Sequence, residues 1–106
     1  MVFQLGASLM DACVLSVLSK EDTYGYILTQ NVKEIVSTSE SILYPVLRRL
    51  QKEKYLRTYD QEFQGRNHRY YAITNEGKRK LNYYLEERDI YKNKLDEILY
   101  RGMKNE

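Results

Sequence analysis

Hydrophobic residues recur along residues 39–54 at the spacing of one helix face. Leu43, Val46, Leu47 and Leu50 occupy positions i, i+3, i+4 and i+7, which predicts an amphipathic helix. At about 100° per residue, the opposite side of this helix is polar and basic. That side carries Ser41, Pro45, Arg48 and Lys52, flanked by Tyr44 and Arg49. Ser39 is the predicted N-cap, and Pro45 is expected either to kink the helix or to delay its start.

Two further helices are predicted before this segment. Apolar residues cover most of the helix circumference over residues 8–19, as in a central buried helix. Helical spacing of Leu28, Val32 and Ile35 predicts a second helix over residues 24–35. A short polar turn then leads into the third helix. Two helices joined by a short turn, the second with a polar outer face, form a helix-turn-helix.

A β-hairpin is predicted after the third helix. Residues 55–64 are rich in tyrosine and threonine and resemble a strand, and residues 68–74 are the return strand. Residues 65–67, Gly-Arg-Asn, are the predicted turn, because Gly and Asn both tolerate positive φ. Its tip carries Arg66, Asn67, His68 and Arg69. After a helix-turn-helix, such a hairpin is expected to be a wing.

A long final helix is predicted beyond Thr74, its N-cap, with strong helix formers from Lys78 onward and Gly102 at its end. Its apolar positions repeat every seven residues over about three heptads, which is typical of a helix-helix seam. A small three-helix core cannot cover so long a seam, so we expect the same helix of a second copy to cover it. The alternative is that the helix folds back on its own domain. The predicted interface comprises Leu81, Tyr84, Leu85, Arg88, Tyr91, Leu95, Ile98 and Leu99.

Positive charge is concentrated in one part of the chain. The formal net charge of +2 over 106 residues does not by itself indicate a polyanion partner. Residues 48–69, however, contain seven basic and three acidic residues, which suits neutralisation of phosphates. The predicted fold class is therefore mainly α with a β-hairpin. A winged helix-turn-helix DNA-binding domain, residues 1–74, precedes a dimerisation helix, residues 75–106, in one compact unit.

Other functional classes find little support in the sequence. Cys13, the single cysteine, lies in an apolar run and is interpreted as a small buried hydrophobe. No internal disulfide is then possible, which suits a reducing cytoplasm. No basic residue precedes the first apolar run, Asp11 interrupts it, and no apolar stretch approaches bilayer length. No zinc-type cluster, phosphate loop or nucleophile motif occurs. We expect a cytoplasmic protein that is not an enzyme, binds no metal or cofactor and does not enter a membrane.

Four segments, in order and at matching spacing, resemble the PadR family of bacterial transcriptional regulators. They are the Tyr-Gly-Tyr of residues 24–26, the run of residues 43–50, residues 65–71, and the Thr-Asn-Glu-Gly of residues 74–77. The resemblance covers residues 5–99. With one helix after the wing, the chain resembles the short PadR-like subclass.

The resemblance implies a homodimer that binds a pseudo-palindromic double-stranded DNA operator, usually as a repressor. In this family the third helix enters the major groove and the wing approaches the neighbouring minor groove or backbone. The implied third-helix contacts are Ser39, Ser41, Tyr44 and Arg48, and the implied wing contacts are Arg66, Asn67 and Arg69. Arg49 and Lys52 complete the predicted basic surface. The Tyr44 hydroxyl suits a phosphate oxygen.

The resemblance also raises the question of an effector. Multidrug-responsive relatives hold flat aromatic compounds between subunits against a tryptophan on the last helix. This chain has no tryptophan, and Arg88 stands near that position. An acidic or aromatic effector held by Arg88 with Tyr84 and Tyr91 is one hypothesis. A second function class is a winged-helix protein–protein adaptor that dimerises through its last helix and never binds DNA.

Overall fold

The computed structural model describes the backbone of residues 5–104 and the side chains of residues 9–103. The elements are α1 (Leu5–Lys20), β1 (Thr23–Tyr24), α2 (Gly25–Lys33), α3 (Glu40–Lys52), β2 (Leu56–Phe63), β3 (Arg66–Ile73) and α4 (Asn75–Lys104). The strands form one antiparallel sheet in the order β1-β3-β2. The predicted helix-turn-helix, wing and long final helix are therefore confirmed. Over residues 5–104, no helix combines the length and apolar character that crossing a membrane requires.

The core is built around α1, which contributes side chains to it from most of its circumference. Its buried residues pack with those of α2, α3 and β2. The fully buried large apolar side chains are Val14, Leu15, Leu18, Leu28, Val32, Leu43, Leu47 and Leu50. Cys13 lies in the same core, and burial raises the pKa of its thiol. The prediction that Cys13 is a small buried hydrophobe is confirmed.

The start and end of α2 differ from the prediction. Tyr24 belongs to β1, whose two residues pair with β3 through Thr23 to Tyr71 and Tyr24 to Tyr70. The third strand was missed because two residues are too few to show an alternating pattern. The helix then ends at Lys33. Ile35, predicted to face the core, is 62% exposed.

The third helix runs without interruption through Pro45. Ser39 occupies the N-cap position with an extended backbone, φ −140° and ψ 169°, but its side chain makes no capping hydrogen bond. Its hydroxyl oxygen lies 3.0 Å from that of Ser41. The predicted position of the N-cap is confirmed, whereas the expected hydrogen bond to the backbone is absent from the structure.

The wing turns one residue earlier than predicted. Phe63 and Arg66 are paired partners, so Gln64 and Gly65 alone form the turn, with φ values of 54° and 76°. Two consecutive residues with positive φ are typical of the tight hairpin turn that matches strand twist. Arg66 and Asn67 are consequently strand residues and not turn residues as predicted.

Thr74 caps α4 as predicted. Its Oγ1 accepts a hydrogen bond from the Gly77 backbone N–H at 3.0 Å and donates one to the Lys54 carbonyl at 2.7 Å. The helix begins at Asn75, before the strong helix formers, because the capped turn satisfies its first N–H groups. It continues through Gly102 to Lys104, so the predicted end at Gly102 is wrong.

The close contact between Gly77 and the loop before β2 predicts that a larger residue at position 77 destabilises the protein. A Cβ atom at Gly77 would overlap the Tyr55 carbonyl oxygen and crowd Ile73, whereas Gly102 on the same helix has open space around it. We expect Gly77→Ala to lower the free energy of unfolding by about 1–3 kcal/mol through overpacking. Gly102→Ala is the matched control and should raise it by up to about 1 kcal/mol. Chemical denaturation measures both, and equal effects would contradict the prediction.

Candidate nucleic-acid interface

The α3 helix separates a buried face from an exposed polar face. Leu43, Leu47 and Leu50 are 0% exposed. On the opposite side, the exposed residues are Ser41, Pro45, Arg48 and Lys52. Tyr44 lies half-buried at one edge of this surface, and Ile42, which the sequence analysis did not select, is exposed at the other edge. The helical spacing therefore placed the polar surface of α3 correctly.

Two neighbouring arginines on α3 have different environments. Arg49 forms an ion pair with Asp11 of α1, a side chain that is only 12% exposed, and lies 3.5 Å from Glu53. The hydrogen bond to Asp11 is the main cause of a raised Arg49 pKa. Arg48 forms no ion pair with any residue of the described chain. We therefore remove Arg49 from the candidate DNA-contacting residues and retain Arg48.

The wing presents its basic residues on both faces of β3. Residues on a strand alternate between faces, so Arg66 and His68 lie on one face and Asn67 and Arg69 on the other. Arg66, Asn67 and Arg69 are all exposed. Arg69 Nε lies 3.7 Å from Asp60 Oδ1 in a solvent-exposed pair, which contributes little to stability. All three predicted wing residues are thus accessible to a ligand.

Aromatic side chains stabilise the wing on the Arg66 face. The Tyr24 ring lies 4.3 Å from His68 and 5.6 Å from Tyr70, and Tyr59 stacks on Tyr70 at 5.5 Å. Phe63 extends this cluster towards the turn. Tyr24 reaches the cluster from β1, the strand that the sequence analysis missed. Offset-stacked and edge-to-face contacts of this kind are the favourable geometries for aromatic pairs.

A cleft of about 360 Å³ separates the start of α2 from α3 and β3. We call it the α2–β3 cleft. Its walls are Tyr24, Gly25, Tyr26, Tyr44, His68, Arg69 and Tyr71. The cleft joins a predicted third-helix residue, Tyr44, to a predicted wing residue, Arg69. The sequence analysis did not select Tyr71, although strand alternation alone puts it on the same face as Arg69.

The residues of the predicted dimer interface fall into two groups along α4, those near its start and those further along the helix. Leu81 packs against the core of its own domain, and burial is the main cause of a raised Tyr84 pKa. The first turns of α4 therefore pack against the domain of their own chain. The later positions remain exposed in the single chain: Leu85, Arg88, Tyr91, Leu95, Ile98 and Leu99.

The residues of the predicted effector site remain a hypothesis. Arg88 is exposed, and its Nη1 lies 3.8 Å from Asp89 Oδ1. The Arg88 charge also acts on Tyr84 one turn earlier, where it tends to lower the pKa of the hydroxyl. Among the described residues, no group of three or more His, Cys, Asp or Glu side chains could hold a metal ion.

Comparisons with known proteins agree with this architecture. The model of the transcriptional regulator PadR-like family matches residues 14–83. A Streptococcus mutans UA159 protein of known structure is 42% identical, with a TM-score of 0.83 over 94% of each chain. A PadR family transcription regulator from Clostridium difficile R20291 is 29% identical, with a TM-score of 0.79 over 85% of this chain and 97% of that one.

A third relative was solved with nucleic acid. Bacillus subtilis PadR in complex with operator DNA is 26% identical, with a TM-score of 0.65 over 73% of this chain. The match covers 45% of that protein, which is therefore considerably longer. The family match over residues 14–83, together with the winged helix-turn-helix described above, shows that this chain belongs to the PadR-like family of transcriptional regulators.

Proposed function

We propose that the protein is a sequence-specific DNA-binding repressor that binds a pseudo-palindromic operator as a homodimer. The observation that carries this proposal is the exposed surface of α3, where Arg48 and Lys52 stand opposite a fully buried apolar face. A helix of this kind fits the major groove of B-DNA, and arginine pairs bidentately with guanine there. Because the proposed partner is chromosomal DNA, we also propose that the protein acts in the cytoplasm.

The wing supports the same proposal. Arg66, Asn67 and Arg69 follow α3 in the chain and lie on a hairpin that projects from the same domain. Backbone contacts of this type position a protein on DNA and supply most of the salt-dependent affinity. The relative solved with operator DNA has a comparable fold over three quarters of this chain, which favours DNA as the partner here.

The exposed part of α4 supports the homodimer. Leu95, Ile98 and Leu99 are 40%, 63% and 59% exposed in the single chain, although they are apolar and share one face of the helix. A contiguous apolar surface of this kind marks an interaction site. Two copies related by a two-fold axis would present two α3 helices to successive major grooves, as helix-turn-helix dimers do. Release by a small acidic or aromatic effector at Tyr84, Arg88 and Tyr91 remains a prediction.

The two α3 arginines provide a matched pair for testing this surface. We expect Arg48→Gln to reduce the slope of log K against log salt by about two, because the homodimer loses one phosphate-attracting charge in each half-site. Arg49→Gln should leave that slope unchanged, because Arg49 is occupied by Asp11. It should instead lower the free energy of unfolding by about 1–3 kcal/mol, since Asp11 loses its partner. Equal slopes for the two variants would contradict this assignment.

A salt titration of DNA binding tests the function itself. The probe is the DNA upstream of the gene for this protein, compared with a scrambled fragment of equal length. Tighter binding to the upstream fragment would establish sequence-specific recognition, and the slope would count the phosphates engaged. If the protein binds the upstream fragment no more tightly than the scrambled one, a sequence selected from a random DNA library serves as the probe. Failure to select any sequence above background would contradict the proposal.

A further inference from the structure

We propose that the α2–β3 cleft binds one phosphodiester of the operator backbone, with the hydroxyl groups of Tyr44 and Tyr71 and the guanidinium of Arg69 as donors. This inference rests on the proposed function and assigns a DNA-contacting role to Tyr71. The three side chains come from α3 and β3 and line the same cleft of about 360 Å³. One site would therefore join the third helix to the wing.

The hydroxyl groups in the cleft lack partners. Neither the Tyr44 hydroxyl nor the Tyr71 hydroxyl forms a hydrogen bond with any residue that the structure describes. Both side chains are half-buried, so their polar ends have limited access to water. Burial is the main cause of a raised Tyr71 pKa. The hydroxyl is therefore protonated at neutral pH and is able to donate a hydrogen bond.

The electrostatics of the cleft favour an anion. Arg69 lines the cleft together with Tyr71, and the charges of Arg69 and Arg48 each act to lower the Tyr71 pKa. The acidic group nearest to Arg69 is Asp60, an exposed partner at 3.7 Å that does not line the cleft. The residues that line the cleft thus include a guanidinium and no carboxylate. A phosphodiester offers acceptor oxygens and one negative charge, and it matches such an arrangement.

Gly25 brings Tyr44 against the start of α2. A Cβ atom at Gly25 would lie 3.1 Å from Tyr44 Oη and 3.3 Å from its Cε1, so the tyrosine ring lies on the backbone of the first turn. Tyr24, the N-cap of α2, makes no capping hydrogen bond through its side chain. The backbone N–H groups of the first turn therefore receive no hydrogen bond from the N-cap side chain.

The location of the cleft fits DNA bound by α3. Tyr44 and Arg48 are one helical turn apart on α3, and Arg48 belongs to the exposed surface proposed to enter the major groove. A backbone phosphate at the rim of that groove would lie on the Tyr44 side of α3, between the helix and the wing. Its contacts would fix the angle at which α3 enters the groove, because they involve both elements at once.

Tyrosine-to-phenylalanine variants test this site with minimal change in shape. Tyr71→Phe and Tyr44→Phe should each weaken operator binding about a hundredfold or more, because each removes a hydrogen bond to a charged group from both half-sites. Their salt slopes should equal that of the wild type, because no charge is removed. Tyr70→Phe is the matched control, since Tyr70 is adjacent in sequence but lies on the other face of β3, against Tyr59. It should bind like the wild type, and thermal melting should show all three variants folded.

Neutral methylphosphonate groups placed one at a time along the selected operator identify the phosphate. At one position in each half-site, the substitution should weaken binding by the wild type about tenfold. It should weaken binding by Tyr71→Phe less, because one of the three donors to that phosphate is already missing. Equal effects of every substitution on both proteins would overturn the proposed site, as would Tyr71→Phe binding like Tyr70→Phe. In either case the wild type still binds DNA, so the proposed function stands. Absence of specific binding by the wild type would overturn both.

Discussion

Arg48→Glu is expected to weaken operator binding by about a hundredfold or more while the protein stays dimeric. The change removes a bidentate contact worth about 1–3 kcal/mol to a guanine and places a negative charge beside the phosphates. Because the dimer has two copies of Arg48, the contact is lost and the negative charge is added in both half-sites. Arg48 is exposed and forms no ion pair with the described residues, so the variant should fold. Fluorescence anisotropy with labelled operator measures the affinity, and sedimentation measures the oligomeric state.

The control for this charge reversal is Arg101→Glu, the same change in the last turns of α4. Arg101 pairs with Glu97 one turn earlier and lies far along the helix from α3. If net charge alone governed binding, both variants would lose affinity equally, and the assignment of Arg48 would fail. Arg66→Glu extends the test to the wing. If the wild-type protein had no affinity for DNA, while a protein partner bound the Arg48→Glu and Arg66→Glu variants, the adaptor function would be supported.

Leu95→Asp is expected to convert the dimer to folded monomers and to weaken operator binding by about a hundredfold. Burying a leucine is worth about 1.5–3 kcal/mol, a symmetric interface loses it twice, and two buried carboxylates would add a further cost. Loss of the second half-site then removes the gain from two linked contacts. Leu95 lies outside the core cluster of its own domain, so each protomer should retain its fold.

Asn93→Asp is the matched control for this variant. Asn93 is exposed and two residues away, which places it on the opposite side of α4. The Asn93→Asp substitution introduces the same aspartate side chain and should leave the dimer intact. Sedimentation velocity separates the two outcomes, and circular dichroism checks the helix content. An intact dimer of Leu95→Asp would contradict the proposed interface, whereas monomers of Asn93→Asp would show that charge on α4 acts without regard to position.

Features with a short sequence period were predictable. The 3.6-residue spacing along α3 identified its buried and exposed faces because helix geometry depends only on neighbours within two turns. Thr74 was predictable as a cap, since a threonine side chain reaches the N–H three residues on. The same helical spacing also predicted the exposed polar surface that carries Arg48 and Lys52. The family of the chain was also recognisable from motifs in order.

Features that depend on distant residues were not predictable from local pattern. The main difference between Arg48 and Arg49 arises from Asp11, 38 residues before Arg49 in the chain. The local difference is an exposed i,i+4 contact of Arg49 with Glu53, and it gives no sign of the ion pair with Asp11. The pairing of β1 with β3 joins residues 48 apart, Thr23 and Tyr71. A two-residue strand carries no periodicity of its own, so only the packed sheet reveals it.

By itself the sequence determined the order of the four helices and the hairpin, the polar surface of α3 and the basic wing, because each depends on local spacing and residue type. Only the tertiary structure decided which basic side chains are accessible and which parts of α4 belong to the protomer core. It alone brought Tyr44, Tyr71 and Arg69 around one cleft. The physical reason is that ion pairs, buried side chains and residues brought around one cleft all depend on contacts between elements far apart in the chain. A local sequence pattern does not encode such contacts.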